Sequence, residues 1–318
     1  MLWWMLLVGC RGPAALTEAQ IDAAVAHAAD VQPDDLIATV TEVVATRASE
    51  KGIRPDPWDP PYRREAAGAW VLATLLALGL EAETQTGMYD AMPVRNVAAT
   101  IAGTTRPDEV VLVTAHHDVW FTGADDNTSG VVALVAIAAA LRDTAPDRTI
   151  RLVATDWEEI SDDYIGTEVA YDHADQVVAH INLDAIAYTD RRPGSQKAPP
   201  GFTLPDTGDF IAVIGNGPAD HLVLWATQLA PEVPHPVRVL GVFGVDDNPG
   251  ALLSDLHRSD HSPSWKRGVP AAFFNDTSDL RSPHYHQESD VVDTLDPVFF
   301  AGVTELAIAL VWAAQAAP

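Results

Sequence analysis

Histidine, aspartate and glutamate recur directly behind short apolar runs along this chain. His116-His117-Asp118 follows Val111 to Ala115, and Gly123-Ala124-Asp125-Asp126-Asn127-Thr128-Ser129-Gly130 comes next. Asp156-Trp157-Glu158-Glu159 follows Leu152 to Thr155, and Asn182-Leu183-Asp184 closes the run that contains His180 and Ile181. Ser259-Asp260-His261 and His284-Tyr285-His286-Gln287-Glu288-Ser289-Asp290 complete the set. Imidazoles and carboxylates without a thiolate suit zinc, and catalytic zinc keeps one position open for water. A carboxylate shared between two ions is what a two-metal hydrolytic site requires. Taken singly, each stretch has a blander reading. His-x-Asp can be surface or capping chemistry, and Asp-Asp-Asn-Thr-Ser-Gly can be an N-cap with turn residues. The glutamate pair can be solvated, and Tyr285 with its histidines can simply pack.

The elements that must position these residues alternate between two periods. Helical spacing covers Thr17–Ala29, Pro33–Ser49, Arg63–Leu80, Ser129–Arg142, Asp220–Leu229 and Pro297–Ala314. Strand patterns cover Glu81–Thr86, Arg95–Ile101, Glu109–Ala115, Thr149–Thr155, Val177–Leu183, Asp209–Ile214 and Val269–Phe274. Lys51–Pro61 is Pro-rich and reads as a loop, while Asp190–Asp206 and Gly241–Arg258 read as longer irregular stretches. The alternation implies an α/β sandwich with a largely parallel sheet. Ligands of such sheets sit outside the carboxyl ends of the strands, which is where the His, Asp and Glu residues fall.

Composition narrows the function classes. With 318 residues, 47% hydrophobic and 20% charged, the chain is long enough and apolar enough for one large folded domain. Acids outnumber bases 45 to 19, a net charge of −26. Such a surface repels phosphate backbones and anionic lipid, so nucleic-acid binding and docking through a basic patch are not expected. There is no internal repeat, and the single cysteine, Cys10, excludes an intramolecular disulfide. Residues 1–10 end in Leu7-Val8-Gly9-Cys10, which resembles a bacterial lipobox. The expectation is a lipoprotein signal over 1–10, a single domain over 17–318, and export to the bacterial envelope with membrane contact only through a lipid on Cys10 (otherwise a secreted or periplasmic protein). The nine apolar residues before Cys10 are too few to span a bilayer as a helix, and no other run is expected to do so.

In their order and combination, the motifs resemble peptidase family M28, the co-catalytic di-zinc aminopeptidase fold, from about Asp34 to the C-terminus. Ala115-His116-His117-Asp118 matches the family's metal-histidine motif. Gly123 to Gly130 matches the segment whose aspartate, here Asp126, bridges two metals. Glu158-Glu159, Asn182-Leu183-Asp184, Ser259-Asp260-His261 and Tyr285-His286 with Asp290 match the rest. The resemblance implies a three-layer α/β/α sandwich with a mixed, largely parallel sheet, and two zinc ions. One would be held by His116 and Asp184, the other by Glu159 and His286, with Asp126 between them and a cis Asp126–Asn127 peptide. It further implies Glu158 as general base, Asp118 hydrogen-bonded to the far nitrogen of His116, and Tyr285 as a donor to the developing oxyanion. The activity implied is that of a zinc exopeptidase acting on peptide or aminoacyl substrates, an aminopeptidase first. A glutaminyl-cyclase-like transferase and a carboxypeptidase or dipeptidase on the same core remain open, as does the oligomeric state.

The same resemblance sorts the neighbouring histidines. His117 is expected to point away from His116, His284 to stay out of the ligand set, and His261 to be structural. The chain departs from the family around Trp157 and after Glu159, where Ile160-Ser161-Asp162-Asp163-Tyr164-Ile165-Gly166 is longer than in relatives, and at Val119-Trp120-Phe121. Trp120, Trp157 and Phe243 are candidates to line an aromatic pocket, with core packing the alternative for each.

Overall fold

The computed structural model describes residues 14–47, 61–89, 91–161, 163–199, 202–245 and 254–317. Residues 1–10, with Cys10, lie outside the described residues, as do all but the last residue of the proline-rich 51–61 stretch. Eight strands form one sheet: β1 Glu81–Tyr89, β2 Met92–Ile101, β3 Arg106–His116, β4 Arg148–Thr155, β5 Gln176–Leu183, β6 Phe210–Asn216, β7 Arg238–Val245 and β8 Ala271–Asn275. Their order is β1-β2-β4-β3-β5-β8-β6-β7. The central β4-β3-β5-β8 block is parallel, as is β6 with β7, whereas β1/β2, β2/β4 and β6/β8 are antiparallel. The sheet is therefore mixed, with its parallel block at the centre.

The strands of that block end in register. His116 pairs with Thr155 and Thr114 with Asn182, so residues 116–118, 156–159 and 182–184 emerge at one edge. Strand alternation sends side chains to two cores. Val111, Val113 and Ala115 enter the larger one, which holds α1 Glu18–Val25, α2 Pro33–Arg47, α4 Gly130–Leu141, α6 Asp220–Leu229 and α8 Pro297–Gln315. The helix α3 Pro61–Ala77 adds Val71 and Leu75 to it. Leu112 faces the opposite layer, with Val153 and with Ala170 of α5 Ile165–Asp172. The short α7 Ser262–Lys266 contributes Trp265 to a further cluster on β6 and β8.

Two expectations need correcting. The strand β7 occupies the start of the stretch read as irregular from Gly241, because its two glycines and half-exposed edge position blur the alternation that marks a buried strand. The helices α5 and α7 were not expected; at eight and five residues they carry too little periodic pattern. Two stretches, Ala124–Leu141 and α8, are long and apolar enough to cross a bilayer by composition, but 83% of each is buried inside the domain; α8 is the longer, at 19 residues. It is apolar on all sides because the sheet and other helices surround it. Asp296 caps it by accepting the Phe299 N–H at 3.1 Å.

Candidate metal centre

Every sequence-derived ligand candidate reaches one small volume at the strand edge. His116 Nε2 lies 3.4 Å from Asp126 Oδ1 and 3.6 Å from Asp184 Oδ1. His286 Nε2 lies 3.1 Å from Asp126 Oδ2 and 3.1 Å from Glu159 Oε2. Asp126 therefore presents one oxygen to each imidazole. Glu158 Oε2 faces His116 Nε2 at 3.8 Å and lies close enough to His116 and Asp184 for the three to offer atoms to one ion.

The spacing and polarity suit zinc. Tetrahedral zinc with bonds of about 2.0–2.1 Å places neighbouring ligand atoms about 3.3 Å apart, and the observed separations bracket that value. His116 Nε2 and Glu159 Oε1 are buried with no hydrogen-bond partner, a costly condition that a cation would relieve. The carboxylates also oversupply negative charge. Burial, followed by the charge of Asp126, pushes Glu159 up to about 8. Burial likewise raises Glu158, despite the nearby His116. Burial would lower His286, but hydrogen bonds to Asp126 and Glu159 raise it to about 10. Burial also opposes protonation of His116, and there Glu158, Asp126 and Asp184 prevail and raise it. Protons on the imidazoles thus do the balancing that divalent ions would do.

The backbone around Asp126 is shaped by contact. Gly123 has φ +55°, and a Cβ there would meet the Val119 side chain at 2.4 Å; a Cβ on Gly130 would meet Asn127 Oδ1 at 2.3 Å and Leu183 O at 2.6 Å. These two glycines let the turn sit against β3 and β5. Asn127 ties the turn to the Asp184 segment, donating to Leu183 O at 2.8 Å and accepting from Ala185 N at 3.2 Å. The Asp126–Asn127 peptide is cis.

Asp118 acts differently from the expectation. Its main-chain carbonyl, not its carboxylate, meets His116 Nδ1 at 2.9 Å; the carboxylate oxygen is 3.8 Å away. The carboxylate instead accepts two consecutive backbone N–H groups, Glu158 at 3.2 Å and Glu159 at 3.1 Å. The reason is steric: Asp118 is two residues past His116, where the carbonyl lies closer to the ring and the side chain is free to reach the next loop. Asp290 repeats the arrangement, accepting Asp125 N at 2.9 Å and Asp126 N at 3.1 Å. The His116 and His286 motifs thus each end in an aspartate that clamps the backbone of another candidate-ligand loop.

A buried chain of hydrogen bonds ends on Asp184, and sequence reasoning missed it. Ser259 Oγ donates to Asp184 Oδ2 at 2.6 Å, Asn182 Nδ2 to Ser259 Oγ at 2.8 Å, and Thr114 Oγ1 to Asn182 Oδ1 at 2.7 Å. The Thr114 proton is committed, so His180 Nε2, 2.7 Å away, must donate to it. His180 Nδ1 then accepts from Ser264 Oγ at 2.6 Å, and Tyr171 OH donates to Ser264 at 2.7 Å. All donors point towards Asp184, an alignment in which the bonds polarise one another. Burial holds His180 down to about 3, hence neutral. One signal was available: Thr114, His180 and Asn182 are polar positions on one face of otherwise apolar strands.

The remaining candidates separate cleanly. His117 turns away, with Nδ1 2.7 Å from Thr155 O. His284 meets Ser289 Oγ at 2.9 Å and Tyr188, outside the cluster. His261 packs between Trp265 and Phe273. Trp157 is core, its indole N–H donating to Pro93 O and Arg64 lying over its ring. Phe243 is half exposed on the β7 edge, and Trp120 alone of the three aromatics reaches the cluster, 5.5 Å from the His286 ring. Tyr285 stacks on His286, and Arg258 Nη2 donates to its hydroxyl at 3.3 Å. Burial and the Asp126 and Asp184 charges raise the Tyr285 hydroxyl, which keeps its proton.

Comparisons with known proteins agree with this geometry. Residues 96–217 match the sequence profile of Peptidase family M28; that span carries four of the five ligand candidates and Glu158. The uncharacterized protein YfbL of Escherichia coli is 27% identical over 90% of this chain and 88% of its own length. Two solved structures share the fold. A zinc aminopeptidase from Bacillus subtilis, BSAP, has a TM-score of 0.65 at 13% identity, covering 90% of this chain and 96% of its own. Porphyromonas gingivalis glutaminyl cyclase has a TM-score of 0.64 at 20% identity, covering 88% of this chain and 97% of its own. Residues 96–217 are thus similar to Peptidase family M28, and the chain as a whole shares the fold of these solved structures.

Proposed function

We propose that the protein is a zinc-dependent exopeptidase that binds two ions and releases N-terminal residues from peptides. The observation that carries this reading is Asp126, whose two oxygens face His116 and His286 at 3.4 and 3.1 Å. His116 and Asp184 would hold one zinc, Glu159 and His286 the other, with Asp126 shared. Zinc there would polarise the scissile carbonyl and make a water acidic enough to attack at neutral pH. Glu158 is largely buried beside His116 and Asp184; with those residues and Asp126, Glu159 and His286 as ligands, its carboxylate takes the proton of the attacking water and returns it to the leaving amine nitrogen. Tyr285 donates its hydroxyl proton to the oxygen that gains charge; Arg258 occupies a lone pair of that hydroxyl and leaves the proton free. Export with a lipid on Cys10 belongs to the same proposal, and an N-terminal peptide mass without a diacylglyceryl adduct would remove it.

The test is a panel of free-amine and N-acylated aminoacyl anilides and glutaminyl peptides, with and without a zinc chelator. Chelator-sensitive release from free-amine anilides alone supports an aminopeptidase. Cyclisation of glutaminyl peptides without anilide release would replace that reading with a transferase.

A further inference from the structure

We propose that Arg258 reads a carboxylate on the substrate, so that the site favours peptides bearing an acidic side chain or a free terminal carboxylate next to the bond it cleaves. This deepens the hydrolase reading above and rests on it. A cavity of about 360 Å³ opens beside the ligand cluster, with Tyr285 and Asn275 in its wall. Both residues connect it to the cluster: Tyr285 stacks on His286, and Asn275 Nδ2 donates to Asp184 O at 2.8 Å. A group attached next to the reacting carbonyl would enter there, and the volume suits a side chain or a short peptide end. Ile214, Leu256 and Phe273 make part of the wall apolar, and Arg258 and Lys197 supply its cations.

Arg258 keeps an open donor fork. A guanidinium carries five N–H donors. Among the described residues its hydrogen bond is the 3.3 Å contact with Tyr285, and its nearest carboxylate, on the largely exposed Asp255, is 3.8 Å away. Asp279 also lines the cavity and its charge acts on Arg258, but no ion pair joins the two. In a chain with 45 acids and 19 bases, cations are readily claimed. Arg64, Arg151, Arg191 and Arg192 each have a carboxylate oxygen within 2.8 Å. A half-exposed arginine without a close carboxylate among the described residues, in the wall of a cavity beside the ligand cluster, is positioned to bind one bidentately from outside.

The experiment uses the zinc-loaded full chain and the variants Arg258→Gln and Arg258→Lys. Glutamyl is compared with glutaminyl anilide, and leucyl-glycine with its amide, so that the two arms separate a side-chain from a terminal carboxylate. In one arm the parent should prefer the acid by about tenfold or more in kcat/KM, the size of a charge-assisted hydrogen bond. Arg258→Gln should erase that ratio and Arg258→Lys should recover part of it. A parent ratio near one, or variants that slow acid and amide substrates equally, overturns the proposal and leaves Arg258 orienting Tyr285. Calorimetry with glutarate and glutaramate needs no turnover. Equal glutarate affinity in parent and Arg258→Gln also overturns the proposal. Arg258-dependent glutarate binding without cleavage of any peptide supports it while removing the hydrolase reading.

Discussion

The two halves of the ligand cluster are built from different materials. His116 and Asp184 stand at the ends of adjacent parallel strands, and the His116 side chain is 1% exposed. Behind Asp184 runs the buried chain from Tyr171 through His180 to Ser259. Glu159 and His286 sit on loops, the His286 side chain is 31% exposed, and its backbone has φ +54°. What rigid strands do for the first half, Asp118 does for the Glu159 loop and Asp290 for the shared Asp126 turn, each gripping a pair of loop N–H groups. A site can therefore combine a fixed floor with a loop-borne wall.

The largest effect should come from the residue that bridges the two in function. Glu158→Gln keeps shape and hydrogen bonding but removes the base; kcat should fall by about 10²–10⁴ with zinc content unchanged by metal analysis. Retained turnover would remove Glu158 from the mechanism. Next, His116→Ala and His286→Ala should each leave one zinc of two. The ion left by His286→Ala should resist a competing chelator at least about tenfold better than the one left by His116→Ala. Equal release rates would break the comparison.

Two smaller effects sharpen it. Ser259→Ala removes the last donor to Asp184 and should weaken zinc binding about tenfold at the strand-borne half alone. The last concerns acid. His117, His180 and His261 are buried and held down to about 3, against 6.5 when unfolded. Between those values the unfolded chain takes protons that the fold refuses, so stability is full above pH 6.5 and falls as pH drops towards 3. Each histidine contributes a slope of about 1.4 kcal/mol per pH unit. In urea unfolding of zinc-free protein between pH 5 and 6.5, His180→Gln should reduce the slope by about one proton. An unchanged slope would mean that His180 is charged in the fold.

Much of this could be read before any coordinates. The strands of the central sheet and the cluster residues were legible because each ligand candidate follows an apolar run, and a parallel sheet gathers such positions at one edge. The carboxylate roles of Asp118 and Asp290 were not, because a side chain's partner across two loops leaves no periodic trace. The Asp184 chain joins Thr114 to His180 and Asn182 to Ser259, 66 and 77 residues apart. Its strand-borne members left a mark as polar residues on an apolar face, and Ser259 as part of Ser259-Asp260-His261, but nothing in the sequence joined them. Trp157 and Trp120 show the same limit: one is core and one reaches the cluster, and residue type alone does not separate them.

The Asp290 clamp also sets a timetable. It joins residues 165 apart in the chain, a contact whose loop-closure cost falls early and whose reward comes late. During synthesis, the turn that carries Asp126 is made long before the carboxylate that holds its backbone. Until Asp290 arrives, the emerging chain carries the other ligand residues without their final brace. Order of appearance thus postpones the finished cluster until nearly the whole domain has been made.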